Sequence, residues 1–475
     1  MVALDAMESF HTLVDEKFRK NALGTLMQYV SIPSLSPAFE AEWEARGAIE
    51  AAMELLARWS QSREIPGLRV EISRLEGRTP AMVIEVIPSA ASSETVLIYG
   101  HLDKQPATAP WLHGSDPFLA RRDGDKIFGR GVVDDGYAIF AALSAIEALA
   151  ATDSPYPRCV VLIEASEESG SPDLNAHLDA LEAQLGDVAL VVALDSGGLD
   201  FERLWITTSL RGNLVLTIDV AVLDHGVHSG EAGGVVPSSF RILRQLLSRI
   251  EDQATGEVIV PELSAEIPEL YRRHATNLAT ELNDPLSRAF PLVGGLKLLG
   301  ADATERILNQ TWRPALALTG IEGIPDTASG GNVLRARTKA KISLRLPPSV
   351  DALQANAVLE ELLGADPPHG AAVTVASESP AQGWVAPPPS PWLEEALTLA
   401  SMDGFGKAPG FCGEGGSIPF LAALTERFPH ADFVATGALG PSSNAHGPDE
   451  SLSISAAVGV SVALAHLIQA ASSHP

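Results

Sequence analysis

The sequence is short of cysteine, of positive charge and of long apolar runs, and each shortage excludes something. Two cysteines, Cys159 and Cys412, in 475 residues cannot make a disulfide framework, so a reducing, cytoplasmic setting is expected. Lys and Arg number 33 against 60 Asp and Glu, a formal charge of −27. So acidic a chain offers no basic face to nucleic-acid phosphates or to anionic lipid, and neither is expected as a partner. No apolar run reaches the roughly 18 residues of a membrane span. Met1–Lys20 has early acids and no apolar core, so it does not read as a secretory leader. There is no G-x-S-x-G nucleophile elbow and no G-x-x-x-x-G-K-[ST] phosphate loop. Gly413-Glu414-Gly415-Gly416-Ser417 is glycine-rich but lacks that lysine and spacing, and Cys412 beside it reads as a small packed residue.

What is present is ample material for a core. Hydrophobic residues make up 46%, charged residues 20%, and the mean hydropathy is +0.13. At about 100–200 residues per domain, the length suggests two or three domains. Short apolar runs at Ala81–Ile87, Val96–Tyr99, Arg158–Ile163 and Val188–Leu194 alternate with helical stretches at Tyr137–Ala151 and Leu174–Leu185. Continuous apolar strands separated by helices predict a mainly parallel sheet covered on both faces. The pattern then changes. Asn213–Val222, Lys339–Leu346 and Ala372–Ala376 alternate with period two, the mark of strands with one wet face, and helices are expected near Ser238–Glu251 and Asp351–Leu363. A stiff Pro-rich connector, Ala386–Pro391, precedes a return to buried α/β character, with a helix at Trp392–Met402 and a strand at Asp432–Thr436. The expected fold class is therefore α/β: a mainly parallel-sheet domain, residues 1–211 and 385–475, interrupted by an α+β domain, residues 212–384.

Chemistry concentrates just past the apolar runs. Val96–Tyr99 leads to His101 and Asp103, Ile127–Val133 to Asp134-Asp135, and Val160–Ile163 to Glu164, Glu167 and Glu168. Val188–Leu194 ends at Asp195, and Phe433–Ala435 leads to Asn444-Ala445-His446-Gly447. In open α/β sheets, ligands bind at the carboxyl ends of strands. Any one acid there is readily a helix cap, and any one His a hydrogen-bonded structural group. Five such segments together have no common need for ligand-capable side chains unless they hold metal. Imidazole and carboxylate without thiolate suit zinc, manganese or cobalt. If Glu167 and Glu168 lie in extended backbone, they point to different sides, one free to hold metal and one to face a metal-activated water.

Taken together, these stretches resemble the two-metal peptidase family of carnosinase, cytosolic non-specific dipeptidase, bacterial carboxypeptidase G, aminoacylase and succinyl-diaminopimelate desuccinylase. The carriers are His101-Leu102-Asp103, Gly129–Gly136, Glu164–Gly170, Asp195, His228-Ser229-Gly230, Gly415–Pro419 and Asn444–Gly447, so the likeness spans residues 96–447. The long insert and Gln105-Pro106 place it nearest the dipeptidase branch. The resemblance implies one metal held by His101, Asp134 and Asp195, and a second by Asp134, Glu168 and His446. It implies Asp103 orienting His101, Glu167 as general base and then acid, and His228 stabilising the oxyanion, commonly from the partner subunit of a homodimer. Asn332, Arg345, Gly416 and Ser417 match positions that contact substrate. The metals implied are two divalent ions, zinc foremost, with manganese or cobalt as alternatives. The insert would be a lid and dimerisation domain, and the reaction would be hydrolysis of dipeptides or short peptides by metal-activated water. An N-acyl amino acid amidohydrolase with the same mechanism, or a silent binding protein on the same fold, are the alternatives. The chain departs from the branch at Gly413, where arginine is usual, at Arg335, where proline is frequent, and at Gly136-Tyr137, where Lys-Gly is frequent. None of these is a metal-ligand position.

Overall fold

The computed structural model describes residues 11–89, 94–107, 110–111, 116–290 and 292–473; the first ten residues, part of the stretch read for a leader, lie outside these. The chain divides into two compact units. One comprises Met1–Thr208, Ala386–Cys412 and Ala423–Pro475, and the other Ser209–Val385 with Gly413–Ala422.

The first unit is built on a six-stranded sheet in the order Arg69–Ser73, Ala81–Val86, Arg158–Glu164, Thr95–His101, Val188–Ala193, Asp432–Ala435. The last four strands run parallel, and the first two join antiparallel. Thr95–His101 is buried along its whole length, which is why its residues are apolar without alternation. The helices Ala138–Ala151, Pro391–Phe405 and Ile454–Ala471 pack together in this unit's core. Ile454–Ala471 is long and apolar enough to cross a membrane by length and composition, but it is mostly buried against its neighbours. Small residues explain its close packing. A Cβ on Gly404 would lie 2.6 Å from the carbonyl oxygen of Gly459, so only glycine permits that approach.

Two expectations fail here. Ile127–Val133 is not a strand of the main sheet. Lys126–Phe128 is a short strand in a separate three-stranded antiparallel sheet, and Gly129 and Gly131, at φ 156° and 76°, turn the chain away before Asp134. Leu174–Leu185 is not one helix. It breaks at Leu181 into Leu174–Ala180 and Glu182–Leu185.

The second unit carries a four-stranded antiparallel sheet in the order Ala315–Glu322, Arg337–Leu346, Gly212–Ala221, Ala372–Ser377. Leu214, Leu216, Ile218 and Val220 on one strand, with Ala340, Ile342, Leu344 and Leu346 on its neighbour, are wholly buried in one apolar cluster. Residues of the helices Ser239–Leu247 and Ala352–Gly364 complete that cluster. The alternate residues form the wetter face, as period two requires.

Candidate active site

Three of the parallel strands end at one edge of the first unit's sheet, and each carries a functional group there. His101 closes its strand. Glu167 and Glu168 lie three and four residues past Glu164, and Asp195 two residues past Ala193. Asp134 comes from the turn after Gly131 and is joined to Asp135 by a cis peptide. The strand can pass close under this turn because residue 100 is glycine. A Cβ there would meet Asp135 Oδ2 at 2.6 Å and Ala138 Cβ at 2.7 Å. His446 sits in a loop with positive φ at Ser442, Asn444, His446 and Asp449, backbone that non-glycine residues adopt at some cost.

These side chains converge. His101 Nε2 lies 3.2 Å from Asp134 Oδ1, and His446 Nε2 lies 2.9 Å from Asp134 Oδ2, so each oxygen of one carboxylate faces a different imidazole. His446 Nε2 is also 3.2 Å from Glu168 Oε2. Asp195 Oδ2 and Glu167 Oε2 approach His101 Nε2 at 3.8 and 4.0 Å. Among the described residues, two groups have potential ligand atoms mutually within 4.8 Å: His101, Glu167 and Asp195, and Asp134, Glu168 and His446. Glu167 thus comes within reach of the first group as well as Asp195.

The electrostatics of the residues present fit a pair of cations. Among the described residues, Asp134, Glu167, Glu168 and Asp195 form ion pairs only with His101 and His446. Burial, partly offset by His101, together with the neighbouring carboxylates pushes Glu167 and Asp195 well above the usual range. Burial and the charge of Asp134 push Glu168 up as well. Burial pulls His446 down, but its bonds to Asp134 and Glu168 outweigh this and hold it at about 10. His101 is likewise held up by Asp103 and Asp134 against its burial. Mutually repelling buried carboxylates with two imidazoles, and no thiolate, form a donor set suited to divalent ions.

The supporting contacts go beyond what the sequence suggested. His101 Nδ1 faces the Asp103 carbonyl at 3.1 Å and its carboxylate at 3.5 Å, an arrangement that favours a proton on Nδ1 and turns Nε2 towards Asp134. The same Asp103 carboxylate accepts from the backbone N–H groups of Glu167 (3.1 Å) and Glu168 (3.0 Å). That grip holds Glu167–Ser169 as a 3₁₀ turn, so the expected extended backbone is corrected; the turn is what sends the two glutamates to different groups. Gln105 Nε2 donates to Glu168 Oε2 at 2.7 Å. In the sequence Gln105 stands out only as a marker of kinship, and no periodicity or spacing could have given it this contact.

In the second unit, His228 pairs with Val333, and Ser229 N donates to the Asn332 carbonyl at 3.0 Å, so His228 and Asn332 are brought together. The exposed His228 ring accepts from Gly230 N at Nδ1 (3.1 Å), which leaves the ring proton on Nε2. Arg345 Nη1 donates to Ser417 Oγ at 3.0 Å, and Ser417 Oγ donates to the Arg211 carbonyl at 2.6 Å. Gly416 is exposed beside them.

Residues 97–470 match the family model described as peptidase family M20/M25/M40. The chain is 27% identical over 375 residues to the cysteinylglycine-S-conjugate dipeptidase of Corynebacterium striatum, covering 78% of this chain and 79% of that one. It is 29% identical over 282 residues to the beta-Ala-His dipeptidase of Homo sapiens, covering 57% of this chain and 54% of that one. In fold it is similar to the di-peptidase Dug1p of Saccharomyces cerevisiae, with a TM-score of 0.77 at 22% identity over 98% of this chain and 99% of that one.

Proposed function

The chain belongs to peptidase family M20/M25/M40, nearest its dipeptidase branch, and from that premise we propose that it is a metal-dependent hydrolase of dipeptides and short peptides. The observation that carries the reading is Asp134, whose two oxygens face His101 and His446, one in each ligand group. His101, Asp134 and Asp195 would hold one ion, and Asp134, Glu168 and His446 the other. Zinc is the first choice, with manganese or cobalt next. Bound there, the ions would supply Lewis acidity to the scissile carbonyl and acidify a water.

The chain's own residues do the rest. Glu167 takes the water's proton and passes it to the leaving amine, a role suited to a carboxylate that burial has made more basic. Asp103 fixes the turn that aims Glu167 and the ring that presents His101. His228 of the partner subunit offers Nε2–H to the carbonyl oxygen as it gains charge. Arg345 and Ser417, with Asn332 and Gly416, receive the carboxylate and backbone of the substrate. In this reading residues 1–211 and 385–475 form the catalytic domain, and 212–384 the lid and dimerisation domain of a cytoplasmic homodimer.

The test is a substrate panel of dipeptides, tripeptides and N-acyl amino acids against ion-loaded wild type and Glu167→Gln. Dipeptide turnover that falls about 10²–10⁴-fold in Glu167→Gln, with metal content retained, is expected. Turnover of N-acyl amino acids alone would overturn the dipeptidase reading in favour of a deacylase. Loss of metal in the variant would reassign Glu167 as a ligand.

A further inference from the structure

The second ligand group brings together Asp134, Glu168 and His446 from three separate segments of the chain. Glu168 is held by Gln105 and by its backbone N–H. His446 differs from the buried His101 in that its side chain is 55% exposed. The loop that carries it is tied to the Asp134 turn.

The tie is a buried ion pair. Arg130 and Glu450 are 320 residues apart in sequence, 1% and 0% exposed, and 2.7 Å apart from Nη1 to Oε2. Glu450 does more than neutralise Arg130. Its Oε2 also accepts from Gly131 N at 3.0 Å, and its Oε1 from Val133 N at 3.1 Å and Asp134 N at 3.4 Å. Its carbonyl takes Gly129 N at 3.0 Å. The whole turn that presents Asp134 is therefore wrapped on one carboxylate. Arg130 extends the connection in the other direction, for its Nη2 donates to the carbonyl of Gly447, next to His446, at 2.9 Å. Arg130, on the loop of Asp134, thus binds the loop of His446 at two points, Glu450 and Gly447, and the side chains at the two loop tips meet at 2.9 Å.

A buried ion pair is weak support for stability, because well-packed apolar residues often replace it without loss. What apolar residues cannot supply is direction. A forked guanidinium donates along two fixed vectors, and lysine, with a single ammonium head, does not reproduce them. We propose that Arg130 and Glu450 are positioning residues that set the spacing of Asp134 and His446, and so govern binding of the second divalent ion. This rests on the two-ion reading of the site.

The experiment counts ions rather than turnover. Full-length protein freed of metal by chelation is titrated with Mn²⁺, and stoichiometry and affinity are measured for wild type, Arg130→Lys, Glu450→Gln and Leu149→Ala. Leu149 is wholly buried in the core helix Ala138–Ala151, so its truncation destabilises the fold without touching either loop. Wild type should bind two ions per chain. Arg130→Lys and Glu450→Gln should keep one tight ion and bind the second about 10–100-fold more weakly. Leu149→Ala should have a lower Tm and bind both ions as wild type does. Arg130→Lys binding both ions at wild-type affinity would overturn the proposal. So would an equal loss of the second ion in Leu149→Ala, since general destabilisation would then explain it. Fewer than two ions on wild type would instead refute the two-ion reading itself.

Discussion

In the ion-free protein, protons occupy the places of the cations, and this gives metal affinity a definite pH dependence. His446 is held at about 10 by Asp134 and Glu168, against the pull of burial. A histidine must be neutral to ligate. The sign is fixed by the direction of the shift: a raised group keeps its proton at every pH below about 10, so an incoming ion must displace it, and affinity rises with pH. Asp134 is held low by the two imidazoles against its own burial and brings no proton. One displaced proton is worth about tenfold in apparent Kd per pH unit, so the ion at Asp134, Glu168 and His446 should bind about 100-fold tighter at pH 9 than at pH 7. The other group should respond in the same direction, because His101 is raised too. The same His446 proton favours the ion-free fold: that contribution is complete below about 6.5 and is lost as pH rises through about 10. The assay is calorimetric titration of chelated protein with Mn²⁺ at pH 7, in two buffers of different ionisation enthalpy, which counts released protons. At least one proton per chain, from His446, is expected. Release of less than half a proton, or a Kd constant from pH 7 to 9, would refute the reasoning.

Geometry yields two more expected outcomes. His228→Ala should lower kcat about 10²–10³-fold while leaving Tm and metal content unchanged, since the ring is exposed and serves as an oxyanion donor; an unaltered kcat removes His228 from the site. Gly100→Ala should cost about 1–3 kcal/mol by overpacking the contact between the strand and the Asp134–Asp135 turn. A Tm equal to wild type by thermal denaturation would mean that this contact yields freely.

The sheet was legible because burial on both faces leaves a plain trace. Val96–Tyr99 and Val188–Leu194 are apolar without interruption, and both are strands. The one false strand, Ile127–Val133, is apolar at its ends but carries Gly129-Arg130-Gly131 between them, and the positive φ of both glycines breaks it there. The alternating strands of the second unit were equally plain, whereas Ala315–Glu322 was not, because an edge strand half-open on both faces carries no strict alternation. In the first unit, the candidate ligands were legible as His, Asp and Glu past apolar runs, and the structure groups them. Asp103 gripping two glutamate N–H groups, Gln105 on Glu168 and Glu450 on the Asp134 turn could not, because each contact spans 63 to 319 residues and exists only once the strands are in register.

That span has a consequence for biosynthesis. The strand Asp432–Ala435 pairs with Val188–Ala193, and Asp432 lies opposite Leu190, a separation of 432 − 190 = 242 residues. Four of the five ligands assigned to the ions, through Asp195, leave the ribosome before the chain that forms most of the second unit, and His446 emerges 446 − 195 = 251 residues later. At roughly 5–20 residues per second, the nascent chain carries an incomplete, acidic sheet edge for about 10–50 s. During that interval the intervening unit can fold on its own core, while the parallel sheet waits for its last strand. In the two-ion reading, loading of the second ion would therefore be a late event, coupled to closure of the sheet rather than to emergence of the residues that dominate the cluster's charge.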